Sequence, residues 1–324
     1  MTGQAVGTVV AIVGPTASGK SALAERVSAR LGGPVVSVDA MQVYRGMDIG
    51  TAKLPEAERT RPLLMVDVAD VWDDYSVQVF QREARACVDR SLAEGHVPVL
   101  CGGTGLYLDA VIDEMDFPAG AIGDEGRARY ERYADEQGAE ALHALLAERD
   151  PRSAALIHPN NTRRVVRALE LLDEGVSYAE KHEGLLRREP HYAARIWAVD
   201  MPREVLYGRI DTRVDEMFSQ GLVDEVRALR ERGLVADSTA GQAIGYREVL
   251  DYLDGACTLE AASSRTKART RHYAKRQLSW LRRDGRARWV DVSAMGIEDA
   301  AAKIAEDAEA ARVAAGLGPD GEVC

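Results

Sequence analysis

The chain has 324 residues, 46% hydrophobic and 29% charged, the make-up of an ordinary globular protein with room for one large domain and a smaller appended or inserted one. No apolar run approaches the length of a membrane span, and the start MTGQAVG lacks the basic and apolar stretches of a secretory signal, so a cytoplasmic setting without a membrane partner is expected. Cys87, Cys101, Cys257 and Cys324 stand far apart with no CxxC, and the six histidines show no ligand spacing, which argues against a zinc site and for reduced thiols.

In chain order, residues 8–13 form a short apolar run, TVVAIV, followed by GPTASGKS at 14–21. Helical apolar spacing at Leu23, Val27 and Leu31 then stops at Gly32 and Gly33. Residues 34–38, 63–68 and 97–101 read as further buried strands, with a helical pattern over 76–92. Strands alternating with helices predict an α/β fold, a P-loop NTPase-like core with a mostly parallel sheet covered on both faces. Residues 118–192, led in by the Gly-rich 119–126, read as a helical insertion between a first core part, 1–117, and a second, 193–290. That second part predicts a strand at 195–199, helices at 203–220 and 223–232, and then a basic helix. The Ala- and acid-rich 291–324 predicts one surface helix with a frayed end at 316–324. There is no internal repeat.

Gly14, Pro15, Thr16, Ala17, Ser18, Gly19, Lys20 and Ser21 match GxxxxGK[ST]. In that pattern small residues let backbone N–H groups converge on phosphate oxygens. The following helix N-terminus adds its dipole, the lysine adds a full charge, and the Ser21 hydroxyl is offered to Mg²⁺. Such a loop specifies phosphate rather than ATP. The strand ending at Val38 delivers Asp39 to the sheet edge where ligands bind in open α/β folds, as a metal ligand through water or a general base. A strand-end Asp also makes plain turn hydrogen bonds, and Asp67 is a rival metal ligand that sequence does not rank against it. Gly102, Gly103, Thr104 and Gly105 follow another strand, so Thr104 belongs to the same edge unless the cluster is only a tight turn.

The net charge of −11 is unevenly spread. Residues 265–288 hold ten Lys or Arg against one acid, Asp284, a local +9 that leaves −20 elsewhere. On a helix, Arg265, Arg269, His272, Arg276 and Arg283 share a stripe with Lys267, Arg271, Lys275 and Arg282 beside it, opposite Thr270, Ala274, Leu278 and Leu281. A helix with no acid before Asp284 lacks the mixed signs of a merely solvated face, so it predicts a polyanion-binding rail. Tyr273 and Trp280 border it, to stack on bases or to anchor the helix.

These motifs resemble the tRNA dimethylallyltransferase family, also called tRNA isopentenyltransferases. The resemblance runs from about residue 9 to 283. It rests on GPTASGKS at 14–21, VDAMQVYRGMDIGTAK at 38–53, GGTGLY at 102–107, RRVVRALE at 163–170, QAIGYRE at 242–248 and AKRQLSWLR at 274–282. It implies transfer of a dimethylallyl group from its diphosphate to N6 of an adenosine beside the anticodon, in a tRNA whose stem is enclosed by the insertion. By resemblance the P-loop holds the donor diphosphate with Arg213, and Asp39 is the base toward the adenine amine. Asp39, Ala40, Met41 and Gln42 touch the target nucleotide. Thr104, Arg127, Arg163, Arg164, Val165, Val166 and Arg167 contact tRNA, as do Gln242, Ala243, Ile244, Gly245, Tyr246 and Arg247, together with Lys275, Arg276 and Gln277 on the basic helix.

Lys20, Asp39 and Arg213 are thus the expected catalytic residues, with Mg²⁺ as cofactor and a monomer as the working form. Ala40 stands where many members have Ser, which removes one hydroxyl near the target base. The scattered cysteines exclude the zinc finger of eukaryotic relatives and imply a bacterial type. Three other readings remain at this level: an enzyme prenylating free AMP, ADP or ATP, a P-loop kinase, and a non-catalytic RNA-binding module.

Overall fold

The computed structural model describes residues 7–117, 125–186 and 189–314. The first six residues, most of the Gly-rich lead at 119–126 and the tail 316–324 with Cys324 lie outside them. The chain divides into two compact units, Met1–Ile112 with Pro190–Cys324, and Asp113–Glu189. Each boundary falls a few residues before the expected one.

In chain order the elements begin with β1 (Thr8–Val13), α1 (Lys20–Leu31), β2 (Gly32–Ser37), β3 (Leu63–Leu64), α2 (Val77–Ala93), β4 (Val97–Gly102) and α3 (Gly105–Ile112). The second unit holds α4 (Glu125–Gln137), α5 (Ala139–Arg149), α6 (Pro151–Leu156), α7 (Thr162–Asp173) and α8 (Tyr178–Leu186). The core then resumes with β5 (Ala193–Asp200), α9 (Arg203–Ser219), α10 (Leu222–Glu231), α11 (Tyr246–Leu253), α12 (Leu259–Leu281), β6 (Arg288–Asp291), α13 (Val292–Met295) and α14 (Ile297–Ala314).

The six strands form one parallel sheet in the order β3-β2-β4-β1-β5-β6. Because side chains alternate along a strand, β1 feeds two cores. Val9, Ala11 and Val13 join Phe80, Leu108 and Val226 on one face, while Val10 and Ile12 join Leu23, Val27 and Ile304 on the other. Burial on both faces explains why these strands read as continuous apolar runs.

Three expectations are corrected. The strand expected over 63–68 stops at Leu64, because Met65 and Asp67 adopt left-handed backbone (φ 61° and 56°) that breaks the ladder. Strand β6 was not anticipated, since only Val290 of its four residues is buried. The C-terminal segment is no plain surface helix. After the single turn α13, α14 seals one sheet face against α1 through fully buried Ala300, Ala301, Ile304 and Ala308.

The helical unit closes on its own core of Leu142, Leu146, Val165, Val166 and Leu169. Asp150 caps α6 by accepting from Ser153 N at 3.0 Å, and Asn161 caps α7 by accepting from Arg164 N at 3.4 Å. Among the described residues no helix is long and apolar enough to cross a membrane.

Candidate active site

Strands β1, β2 and β4 end side by side, and the turns leaving them form one wall of a cavity of about 440 Å³. From β1 comes the P-loop. Ser18 N donates to Pro15 O at 3.3 Å, Gly19 takes φ 89°, and α1 begins at Lys20. Thr16, Lys20 and Ser21 line the cavity. The Lys20 ammonium donates to Pro15 O at 3.3 Å. Burial pulls it below the ordinary lysine value of 10.5; Arg213 pushes the same way, and Cys101 and Asp39 oppose.

Arg213, projecting from α9 into the same cavity, is lowered by burial and supported by Asp39 and Glu216. A guanidinium still remains charged at neutral pH. Cys101 at the end of β4 lies against this group, where burial pushes its thiol up to about 11 and keeps it protonated.

From β2 comes Asp39. Its Oδ1 accepts from Met41 N at 2.9 Å, the turn hydrogen bond open to any strand-end Asp. Among the described residues that is its one hydrogen-bond donor, so Oδ2 is left for something in the cavity that Asp39 lines. Its rival Asp67 belongs to a different cavity of about 540 Å³. There Lys53 Nζ donates to Asp67 at 2.6 Å, to Asp48 at 2.9 Å and to Tyr44 O at 2.6 Å. Geometry thus ranks Asp39 first.

From β4 comes the Gly-rich turn, whose glycines answer to α12. A Cβ on Gly103 would sit 2.1 Å from Gln277 Nε2, and one on Gly105 would sit 2.3 Å from the Trp280 ring. Trp280 therefore anchors the helix. Gln277, only 5% exposed, accepts from Thr16 N at 3.0 Å and donates to Gly103 O at 2.9 Å, bracing the P-loop against the turn. Thr104 Oγ1 accepts from Ala40 N at 3.3 Å and lies 3.5 Å from the Tyr273 hydroxyl. Tyr273 lines the cavity, and burial pushes it up to about 12, so its hydroxyl keeps its proton.

The structure divides the residues expected to contact tRNA. Ala40, Met41, Gln42, Thr104, Gln242, Ala243, Ile244, Tyr246 and Arg276 line the cavity, whereas Gly245, Arg247 and Lys275 do not. The Gln42 amide is already bonded at both ends, accepting from Ser37 Oγ at 2.8 Å and donating to Thr51 O at 3.2 Å. Gln277 also lines the cavity, and both ends of its buried amide are bonded within the protein, so it braces the site from inside. The side chains of Val165 and Val166 fill the core of the helical unit. Arg163 and Arg164 are exposed, Arg167 pairs with Glu170 at 3.3 Å, and Arg127 pairs with Glu131 at 3.2 Å.

The basic rail is likewise shorter than expected. Arg265 and Arg269 pair with Asp251 and Glu248 of α11, and Lys267 and Arg271 with Asp215 and Asp211 of α9. Arg286 pairs with Asp284 at 2.9 Å, and Arg288 with Asp307. The N-terminal half of α12 is therefore clamped between two acidic helices. Lys275, Arg276, Arg282 and Arg283 are exposed and, among the described residues, have no acidic partner. Spaced i, i+1, i+7 and i+8, they share one face.

Sequence reasoning missed Glu225, whose carboxylate reaches the segment 48–50 from α10. No local pattern announces a contact across that separation.

The profile of the IPP transferase family matches residues 42–284, and that of the isopentenyl transferases matches residues 7–65. The tRNA dimethylallyltransferase of Geobacillus kaustophilus is 45% identical over 92% of this chain and 94% of its own. That of Nocardia farcinica is also 45% identical, over 93% and 96%. Among solved structures, the tRNA isopentenylpyrophosphate transferase of Bacillus halodurans aligns over 94% of this chain and 99% of its own, at 40% identity and TM-score 0.68. A eukaryotic dimethylallyltransferase acting on tRNA aligns over 96% and 80%, at 26% identity and TM-score 0.80. With a profile spanning most of the chain and relatives this similar end to end, the chain belongs to the IPP transferase family, as a transferase of the tRNA dimethylallyltransferase kind.

Proposed function

We propose that the protein transfers a dimethylallyl group from dimethylallyl diphosphate to N6 of an adenosine beside the anticodon of tRNA, releasing diphosphate. The observation that carries this reading is the meeting, in one cavity, of P-loop residues Lys20 and Ser21, the cation Arg213, the carboxylate Asp39 and the rim residue Arg276 of the basic helix. A kinase needs the first of these but not a cationic helix beside the acceptor side. The same reading has the protein work as a monomer in the cytoplasm, where its thiols stay reduced.

The chemistry follows from the side chains. An adenine amine is a weak nucleophile because its lone pair is delocalised into the ring, so a placed base contributes about 10²–10⁴-fold. Asp39 Oδ2, which has no donor among the described residues, accepts that proton. The allylic C–O bond breaks as N6 attacks, and the negative charge that grows on the diphosphate is met by Lys20, Arg213 and the P-loop amides. One such donor commonly contributes about 2.7–4 kcal/mol. Unstacking the target base costs a few kcal/mol, which phosphate contacts offset.

Mg²⁺ fits the donor set in one way. Among the described residues no three His, Cys, Asp or Glu gather around a common point, so the protein would offer the ion chiefly the exposed Ser21 hydroxyl. When bound, the ion neutralises charge on the leaving diphosphate.

The deciding experiment measures diphosphate release from dimethylallyl diphosphate with an anticodon stem-loop, with free AMP, or with neither, and ADP formation from ATP supplied in its place. Release that depends on the stem-loop is expected. Release with AMP alone, or ADP formation from ATP, would overturn the reading.

A further inference from the structure

Three consecutive backbone N–H groups, of Asp48, Ile49 and Gly50, point at a single carboxylate. Glu225 on α10 accepts from them at 3.1, 2.7 and 3.3 Å, and from the Tyr246 hydroxyl at 2.5 Å. Successive N–H groups that converge in this way make an anion nest, and bonds to an ionised acceptor are the strong ones. Tyr246 lies so close that a Cβ on Gly50 would fall 2.4 Å from its ring. The latch continues toward the site. Thr51, next in the chain, donates its hydroxyl to Met47 O at 2.5 Å, and its carbonyl accepts from Gln42 Nε2 at 3.2 Å. Gln42, Gly50, Thr51 and Tyr246 all line the same cavity as Asp39.

We infer that Glu225 is a positioning residue for the acceptor base: it touches no substrate, but fixes the segment 48–51, and through Thr51 and Gln42 the wall against which the adenine is aligned with Asp39. This rests on the function proposed above. A local shift of the acceptor then lowers the rate of transfer while leaving the donor site and the phosphate-contacting helix as they are.

The test is single-turnover transfer at saturating stem-loop and dimethylallyl diphosphate, with Glu225→Gln and Tyr246→Phe beside the wild type. The amide of Glu225→Gln keeps one acceptor but loses the charge and turns a donor toward the nest. Tyr246→Phe removes only the hydroxyl and keeps the ring against Gly50. The expected result is a rate roughly 10- to 100-fold lower in Glu225→Gln, in line with the cost of small misplacements of reacting groups. A smaller fall is expected in Tyr246→Phe, with the double variant no worse than Glu225→Gln alone. Dissociation constants for diphosphate, the salt dependence of RNA binding and the melting temperature should stay near wild type. Unchanged rates in both variants, or a weakening of donor affinity and melting temperature that matches the fall in rate, would overturn the inference. An inactive wild type would instead count against the proposed function, and Tyr246→Phe keeps the test open if Glu225→Gln does not fold.

Discussion

At Asp39 the two carboxylate oxygens are set apart, one for the turn and one for the proposed base role. Oδ1 holds the turn by accepting from Met41 N, and among the described residues Oδ2 has no donor. Replacement by Ala removes both, whereas Asn keeps an acceptor for Met41 N. Asp39→Asn is therefore predicted to slow single-turnover transfer about 10²–10⁴-fold with diphosphate affinity retained; a near-normal rate would reject the base role. Lys20 adds a pH signature. Its pKa is lowered in the folded protein, so the ammonium proposed to attract diphosphate is lost as pH rises through a value below 10.5. Diphosphate affinity should hold through neutral pH and fall on the alkaline side, and isothermal titration with Lys20→Met should show weak binding with that fall gone. Burial that depresses a lysine also opposes folding while the group is charged, so stability from this residue alone rises, not falls, as pH climbs. Much of this site is legible in the sequence, because the P-loop and the residues after β2 and β4 are strand-end motifs. Glu225 and Gln277 are not, because their partners lie 175–177 and 174 or 261 residues away.

Among the elements, β1 is readable to the residue because its apolar run is buried on both faces. Strand β3 is not, because the left-handed backbone at Met65 and Asp67 ends a pattern that would otherwise continue. Helix α12 shows why charge counting along one element misleads. The absence of acids between its cations suggests a free rail, yet α9 and α11 supply acids from elsewhere in the chain. Reversing Arg269 would break an ion pair with Glu248, whose side chain is 3% exposed, and leave a buried charge, at about 3–5 kcal/mol. The informative variant replaces Lys275, Arg282 and Arg283 with Glu. It should weaken stem-loop binding and flatten the slope of log affinity against log salt by roughly 0.9 for each duplex phosphate that the variant no longer neutralises, with melting unchanged. A wild-type slope would mean that this face does not bind RNA.

For the whole molecule, the core is discontinuous, interrupted by the helical unit and completed by a C-terminal helix that returns to α1. The interruption is legible in the sequence, because a shift to Ala-, Glu- and Arg-rich helices is visible in composition. The return of α14 is not, since four small or aliphatic residues among acids look like a solvated helix until a partner face is known. Ile304→Ala should lower stability by about 2–5 kcal/mol in urea unfolding and leave the rate of transfer unchanged at temperatures where the variant is folded. A variant as stable as wild type would mean that α14 does not complete the core. The central claim, that the P-loop holds a departing diphosphate rather than an ATP, is tested most directly by mass. The purified protein is incubated with dimethylallyl diphosphate, Mg²⁺ and an anticodon stem-loop bearing the target adenosine, and the RNA is weighed and then digested to nucleosides. The account predicts the gain of one dimethylallyl group, recovered on N6 of that adenosine. RNA of unchanged mass, with ADP formed when ATP is supplied in place of dimethylallyl diphosphate, would contradict it.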